Sequence, residues 1–161
     1  TRYGDYLWLK NEYQNFQCEF EYRHEKGGNS GLYFNVTDRQ KAVGTVIEVQ
    51  IRDSAEVKVL NPHDVTGGIL PRVAPRANAT KPAGEWNHMK LTVNGASVKV
   101  VLNGKQVVVA DLDQWTTERK NPDGSRNKFR TALKDMPRTG SIGLQYHGHP
   151  VWFKNIVVKP I

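Results

Sequence analysis

The sequence predicts an all-β protein in which two antiparallel sheets pack as a sandwich or jelly roll. Short segments with an apolar residue at every second position recur along the whole chain. Turn residues, among them two Asn-Gly pairs, separate these segments. No stretch carries the sustained 3.6-residue apolar period of a helix. These three observations together favour eight or so short strands over any helical or mixed fold.

The clearest alternation lies in residues 15–24 and 45–52. In the first segment Phe16, Cys18, Phe20 and Tyr22 fall on one face, which predicts a strand with that face in the core. In the second, three β-branched residues alternate with Glu48, Gln50 and Arg52. A neighbouring strand is predicted at 31–36. One polar face of this pair would therefore point away from the core.

The remaining strands are predicted from turns. A meander of three strands begins near residue 87, with turns at Asn94-Gly95 and Asn103-Gly104. Shorter strands are predicted at 6–9 and 68–73, and two more from Gly140 and Val151 onward. The strand after Gly140 would place Gln145 and His147 on one face. Two longer connections, 54–84 and 111–139, interrupt the pattern, with one helical turn expected within 129–136.

Composition limits the function classes. The 161 residues predict a single β-sandwich domain, residues 1–161, with no membrane-spanning run. The net charge of +7 is spread along the chain without a nucleic-acid-binding signature, so we expect no nucleic-acid partner. Cys18 is the single cysteine, which excludes an internal disulfide, and its position between Phe16 and Phe20 predicts a buried, inert thiol. Oligomeric state is not predicted.

Six motifs occur in one order along nearly the whole chain. They are Asn29-Ser30-Gly31, Glu48-x-Gln50-x-x-Asp53, Lys81-Pro-Ala-Gly-Glu-Trp-Asn87, Leu102-Asn-Gly104, Gly140-Ser-Ile-Gly-Leu-Gln-Tyr-His147 and Phe153-Lys-Asn-Ile156. In these the chain resembles the 3-keto-disaccharide hydrolase family, formerly a domain of unknown function. The resemblance implies a concanavalin A-like lectin/glucanase fold and a bacterial periplasmic or secreted protein. It also implies a carbohydrate substrate oxidised at C3.

Two departures from the family pattern are visible. Members carry an N-terminal segment with a Leu-Phe-Asp-Gly-type motif before the stretch that matches Tyr6-Leu-Trp8, and this sequence does not contain it. We therefore expect either a fragment or a sandwich that lacks one edge. The family also often has an arginine where Asn35 stands here, which bears on substrate choice.

A ketone at C3 acidifies the C2 proton of a sugar, because its loss gives an enolate. The C1 substituent can then leave by elimination, and water added back completes a net hydrolysis. Such chemistry needs a base, donors for the enolate oxygen and an acid. Glu48 is the candidate base; the alternative role is a structural ion pair, for example with Arg23. His147 is the second candidate acid or base, and an inert exposed histidine is the alternative.

The candidate substrate-binding residues offer hydrogen bonds or a ring face. They are Asn29, Tyr33, Asn35, Gln50, Asp53, His63, Asp64, Gln145 and Trp152. Asn29 could equally form a turn, Asp53 could cap a strand end, and Trp86 is expected in the core rather than stacked on a sugar. A divalent metal shared by Glu48, His63, Asp64 and His147 is conceivable, although no spacing demands it. The competing function is a non-catalytic, lectin-like carbohydrate-binding module.

Overall fold

The computed structural model describes residues 6–40, 46–70, 72–127 and 129–161. Within these residues the chain forms ten strands in two antiparallel sheets of five. The strands are β1 (Tyr6–Tyr13), β2 (Phe16–His24), β3 (Asn29–Val36), β4 (Ile47–Arg52), β5 (Ile69–Leu70), β6 (Asn87–Asn94), β7 (Ser97–Leu102), β8 (Lys105–Asp111), β9 (Gly140–Gln145) and β10 (Val151–Pro160). The predicted all-β, two-sheet fold is confirmed.

The first sheet has the order β1-β9-β3-β4-β5, and the second has the order β10-β2-β6-β7-β8. The inner faces of the two sheets supply one core. In β2 the predicted inward residues Phe16, Cys18, Phe20 and Tyr22 are at most 1% exposed, and His24 continues the same face. Ile47, Val49 and Ile51 of β4 meet them from the first sheet. Each such side chain contributes about 1.5–3 kcal/mol through burial.

The β6-β7-β8 meander is confirmed, but its two turns differ. Asn103 and Gly104 have φ of +50° and +79° between the paired residues Leu102 and Lys105, as the predicted two-residue turn requires. At the other turn Asn94 pairs with Ser97, so the loop is Gly95-Ala96 rather than Asn94-Gly95. Gly95 alone takes a positive φ, +56°. That hairpin therefore has Gly at the first loop position, and Asn94 ends the strand.

The two long connections contain little regular structure. The first includes β5, which confirms the short strand expected near 68–73. The second includes two 3₁₀ turns, Leu112–Gln114 and Leu133–Asp135, and the latter is the single helical turn expected in 129–136. Gly44 and Thr45, predicted to begin a strand, lie outside the described residues. In the part of the chain that the structure describes, no helix is long and apolar enough to cross a membrane.

Two expectations about individual elements are wrong. The strand after Gly140 ends at Gln145, so His147 lies in the following loop and does not share a strand face with Gln145. Trp86 is not a core residue. It precedes β6 and lies half-buried on the outer face of the second sheet, where Arg23 and Lys154 cover its ring.

Candidate active site

Glu48 is the second residue of β4 and lies on the outer face of the first sheet, as its sequence pattern predicts. It pairs with Tyr33 on β3 and with Leu70 on β5. Its side chain extends across β3 and lies against Gly31. A β-carbon at residue 31 would be only 2.9 Å from Cγ and from Cδ of Glu48. The absence of a side chain at Gly31 therefore gives the carboxylate its place on the sheet surface.

The Tyr33 hydroxyl connects Glu48 to the next strand. Gln145 on β9 donates a hydrogen bond from Nε2 to the Tyr33 oxygen over 2.9 Å. Burial raises the pKa of Tyr33 most strongly, and the charge of Glu48 and contact with Tyr6 raise it further. Tyr33 therefore stays protonated, and its hydroxyl is in hydrogen-bond contact with Glu48. A hydroxyl that donates to a carboxylate stabilises the ionised form of that carboxylate.

An aromatic wall flanks this group of polar side chains. Tyr6 packs against Trp8 and Tyr33, with ring centroids 5.1 and 5.2 Å apart. The indole of Trp8 lies over Gly143 on β9, where a β-carbon would be 2.5 Å from its Cε3 and Cζ3 atoms. Gly31 and Gly143 thus leave room on two adjacent strands for the Glu48 carboxylate and the Trp8 indole. The site therefore has a half-buried carboxylate on one side and aromatic rings on the other.

Gln50 and Arg52, which follow Glu48 on the same face, hold a loop in place. Gln50 donates from Nε2 to the His63 carbonyl oxygen over 2.6 Å, and Arg52 donates to the same oxygen over 3.3 Å. Arg52 also pairs with Asp64 over 3.3 Å, and Asn61 donates to Asp64 over 2.7 Å. The predicted residues His63 and Asp64 therefore do lie beside β4. The Gln50 amide, however, is occupied by the loop backbone.

Three other candidate residues lie near the ends of β3 and β4. Asn29 is the first residue of β3, half-buried and paired with Arg52 rather than part of a turn. Asp53 accepts a hydrogen bond from the Gly27 backbone N–H over 2.9 Å, which matches the strand-end cap considered above. Asp53 also lines a surface cavity of about 470 Å³.

Asn35 is 2% exposed and has a φ of +57°, at the point where the pairing of β3 with β9 shifts register. It is thus a buried residue of a β-bulge. Among the described residues its amide has no hydrogen-bond partner. The predicted contact of Asn35 with substrate would require this region to open.

One predicted residue, Trp152, lies away from Glu48 in the fold. Trp152 is on the outer face of the second sheet, paired with Arg23. The outer faces of the two sheets point in opposite directions, so Trp152 and Glu48 do not belong to one site. For the same reason the suggested Glu48–Arg23 ion pair is wrong. His147 is half-buried in the loop after β9, two residues beyond Gln145.

The residues considered for a divalent metal do not gather. Across residues 6–40, 46–70, 72–127 and 129–161, no three or more His, Cys, Asp or Glu side chains form a group that could hold a metal ion. Glu48, His63, Asp64 and His147 all lie in these ranges. The donor set that a divalent metal needs is therefore not assembled by these four side chains.

Sequence reasoning missed four residues of the site. Gly31 and Gly143 were missed as the positions that Glu48 and Trp8 lie against, and Tyr6 and Trp8 were missed as the aromatic wall. A signal for the two glycines was present, because glycine inside a strand often marks a close approach of other atoms. Tyr6 and Trp8 are two residues apart, as residues on one strand face are. Nothing local indicated that β1 would pair with β9, and only that pairing brings Trp8 over Gly143.

Comparison with known proteins agrees with this architecture. Residues 1–159 match the family described as the 3-keto-alpha-glucoside-1,2-lyase-like domain. The chain is 30% identical to a 3-keto-disaccharide hydrolase of Bacteroides thetaiotaomicron over 97% of its own length, and it spans 62% of that protein. A crystal structure of a proposed glycosyl hydrolase from Parabacteroides distasonis ATCC 8503 superimposes with a TM-score of 0.89. That protein is 32% identical, with 98% of this chain and 84% of that chain covered.

A more distant structure shares the fold alone. The carbohydrate binding module CBM66 from Bacillus subtilis has a TM-score of 0.61 at 14% identity, covering 99% of this chain and 83% of that one. The same two-sheet architecture is thus found in proteins named as hydrolases and in one named as a binding module.

Proposed function

We propose that this chain, which belongs to the family of 3-keto-alpha-glucoside-1,2-lyase-like domains, cleaves the glycosidic bond of sugars that carry a ketone at C3. The observation that carries the proposal is the half-buried Glu48 carboxylate, which lies against Gly31 on the outer face of the first sheet and contacts a protonated Tyr33. An ionised carboxylate beside aromatic rings is suited to remove a proton from a bound sugar.

In the proposed reaction Glu48 takes the proton from C2, and the C2–H electron pair forms the C2–C3 enolate. The enolate then re-forms the C3 ketone as the C1–O bond breaks, which leaves a C1–C2 double bond. The leaving oxygen receives a proton, for which His147 is the proposed donor. Water adds across the double bond, with its oxygen bonding to C1 and a proton to C2. The net result is hydrolysis, and release before the addition of water would make the enzyme a lyase.

The neighbouring residues have defined proposed roles. Gln145 has a second amide N–H besides the one given to Tyr33, and that N–H is the proposed donor to the enolate oxygen. Trp8 and Tyr6 would support one face of the sugar ring. The loop that contains His63 and Asp64 would border the site next to β4, because Gln50 and Arg52 hold it there.

The test compares 3-ketotrehalose with ordinary trehalose, following released sugars by chromatography with mass detection. Release from the keto sugar alone supports the proposal, and uptake of solvent deuterium at C2 supports elimination. If the folded protein releases nothing from 3-ketotrehalose, the proposal fails. Saturable binding of ordinary trehalose at the Glu48 surface without turnover would then favour the lectin-like alternative.

A further inference from the structure

The outer face of the second sheet carries a row of two tryptophans with an arginine between them, on the side of the molecule opposite Glu48. Trp152 on β10 pairs with Arg23 on β2. Tyr22 pairs with Asn87, so Trp86 comes next to Arg23 from the other side. The Arg23 Cζ atom is 4.7 Å from the Trp152 ring centroid and 5.2 Å from that of Trp86. We call Trp152, Arg23 and Trp86 the tryptophan row.

The row leaves aromatic surface accessible. Trp152 is 39% exposed although large aromatic side chains are usually well covered. It lies on β10, which is the edge strand of its sheet. Arg23 covers one face of the ring and orients it, as a cation over an indole does. A solvent-facing indole fixed in this way can receive the apolar face of a flat ligand.

A polar cavity adjoins the row along the strands. Each residue of the tryptophan row has a neighbour two positions away on the same face. There Lys154 pairs with Glu21, and Glu21 pairs with His88. Beyond Lys154 the strand bulges before Val157, and Asn155 there has a φ of +53°. The bulge opens a cavity of about 380 Å³, lined by Glu19, Phe20, Glu21, His88, Asn155 and Val157.

The polar groups of this cavity are held in fixed directions. Asn155 donates from Nδ2 to Glu21 over 2.6 Å, and the Glu21 carboxylate also pairs with Lys154 over 3.4 Å. The hydrogen bond from Asn155 and the charge of Lys154 hold the pKa of Glu21 below its ordinary value. Glu19 is 2.8 Å from Nε2 of His88. The cavity therefore offers two carboxylate acceptors beside an amide and an imidazole.

We propose that this surface is a second saccharide-binding site, separate from the Glu48 surface. One sugar ring stacks on the exposed face of Trp152, and hydroxyls of the same or the next unit donate to Glu21 and meet Asn155 in the cavity. A neutral saccharide fits because its hydroxyls both donate to carboxylates and accept from the amide. Lys154 pairs with Glu21 and Lys90 with Glu19, so the charges at this place are balanced and favour a neutral ligand over a charged one.

The test uses trehalose and cellotetraose, which carry no C3 ketone, as probes and the Glu48→Gln variant as the protein, so that turnover at the Glu48 surface is suppressed. The chain has four tryptophans, and each indole N–H gives its own NMR signal. We expect saturable shifts of the Trp152 and Trp86 signals and of the Asn155 side-chain amide with at least one probe. The Trp115 signal should stay in place, and a Trp8 shift would report binding at the Glu48 surface instead.

Two variants sharpen the result. Trp152→Ala should weaken binding at least tenfold, while Val59→Ala, which truncates an exposed apolar side chain outside both sites, should leave the affinity unchanged. Asn155→Gly keeps the left-handed backbone but removes the amide, and it should also weaken binding. Absence of saturable shifts with both probes would overturn the proposal, as would shifts confined to Trp8. Shifts of Trp152 that depend on protein concentration and not on sugar would also overturn it, by indicating contact with a second copy.

Discussion

The Glu48 carboxylate lies directly against Gly31 of the neighbouring strand, and a β-carbon at residue 31 would occupy its place. A Gly31→Ala variant should therefore keep the fold but displace the carboxylate. We expect kcat/KM on 3-ketotrehalose to fall roughly tenfold to a hundredfold, since misplacement of a reacting group by about 1 Å has effects of this size. Gly143→Ala is the comparison, because it displaces Trp8 instead. It should raise KM more than it lowers kcat, and equal effects of both variants on kcat would contradict the separate roles.

Glu48→Gln tests the proposed base itself. The amide keeps the shape of the side chain but cannot accept the C2 proton, so turnover should fall by about 10²–10⁴-fold. The exposed Glu56 is a matched control, and Glu56→Gln should retain full activity. Initial rates with 3-ketotrehalose and a thermal melt of each variant provide the measurement. A folded Glu48→Gln protein with unchanged rates would remove Glu48 from the mechanism.

Tyr33→Phe tests the hydroxyl that joins Gln145 to Glu48. A donor to a carboxylate favours its ionised form, so loss of the donor raises the pKa of Glu48. Glu48 would then stay protonated to higher pH, and the acidic limb of the pH profile of kcat/KM should move to higher pH. The maximum value of kcat/KM on this profile should also fall about tenfold. If the profile of Tyr33→Phe overlays the original curve, Tyr33 does not act on Glu48.

The Cys18 thiol should be inert in the folded protein. It is 1% exposed, and burial raises its pKa to about 12. An unfolded cysteine loses its proton near pH 8.5–9. Between that pH and about 12 the thiol is ionised in the unfolded state but protonated in the folded state, so rising pH favours unfolding. Stability should therefore decline over that window, and less so in Cys18→Ala. A thiol reagent should label no site in the native protein and one per chain in denaturant; fast native labelling would contradict burial.

Asn103 should contribute more to the free energy of unfolding than an ordinary turn residue does. It accepts from the His88 backbone N–H and donates to the Ala79 carbonyl and to Asn87 Oδ1, each over 2.8 Å. Asn103→Gly keeps the positive φ while removing all three bonds. We expect a loss of about 2–3 kcal/mol in the free energy of unfolding, measured in urea. Asn94→Gly, at the end of a strand, is the comparison and should cost about 1 kcal/mol or less. Equal losses would show that the side-chain bonds of Asn103 contribute little.

Local pattern was enough to predict most strands. Alternation in β2 and β4 placed Phe16, Cys18 and Glu48 on the correct faces, because side chains alternate strictly along a strand. The alternation gave wrong predictions where the backbone departs from the two-residue repeat of a strand. The strand after Gly140 ends two residues before His147, and the bulge at Asn35 turns a predicted contact residue into a buried one.

The sequence by itself determined the fold class, the family and the face on which Glu48 lies, because these follow from period-two patterning and ordered motifs. Only the tertiary structure decided which residues share a surface. Trp152 and Glu48 both point outward from their strands, yet they lie on opposite sheets. Trp8 and Gly143, far apart in sequence, meet because β1 pairs with β9. Strand order depends on non-local packing of whole faces, and no short stretch of sequence records it.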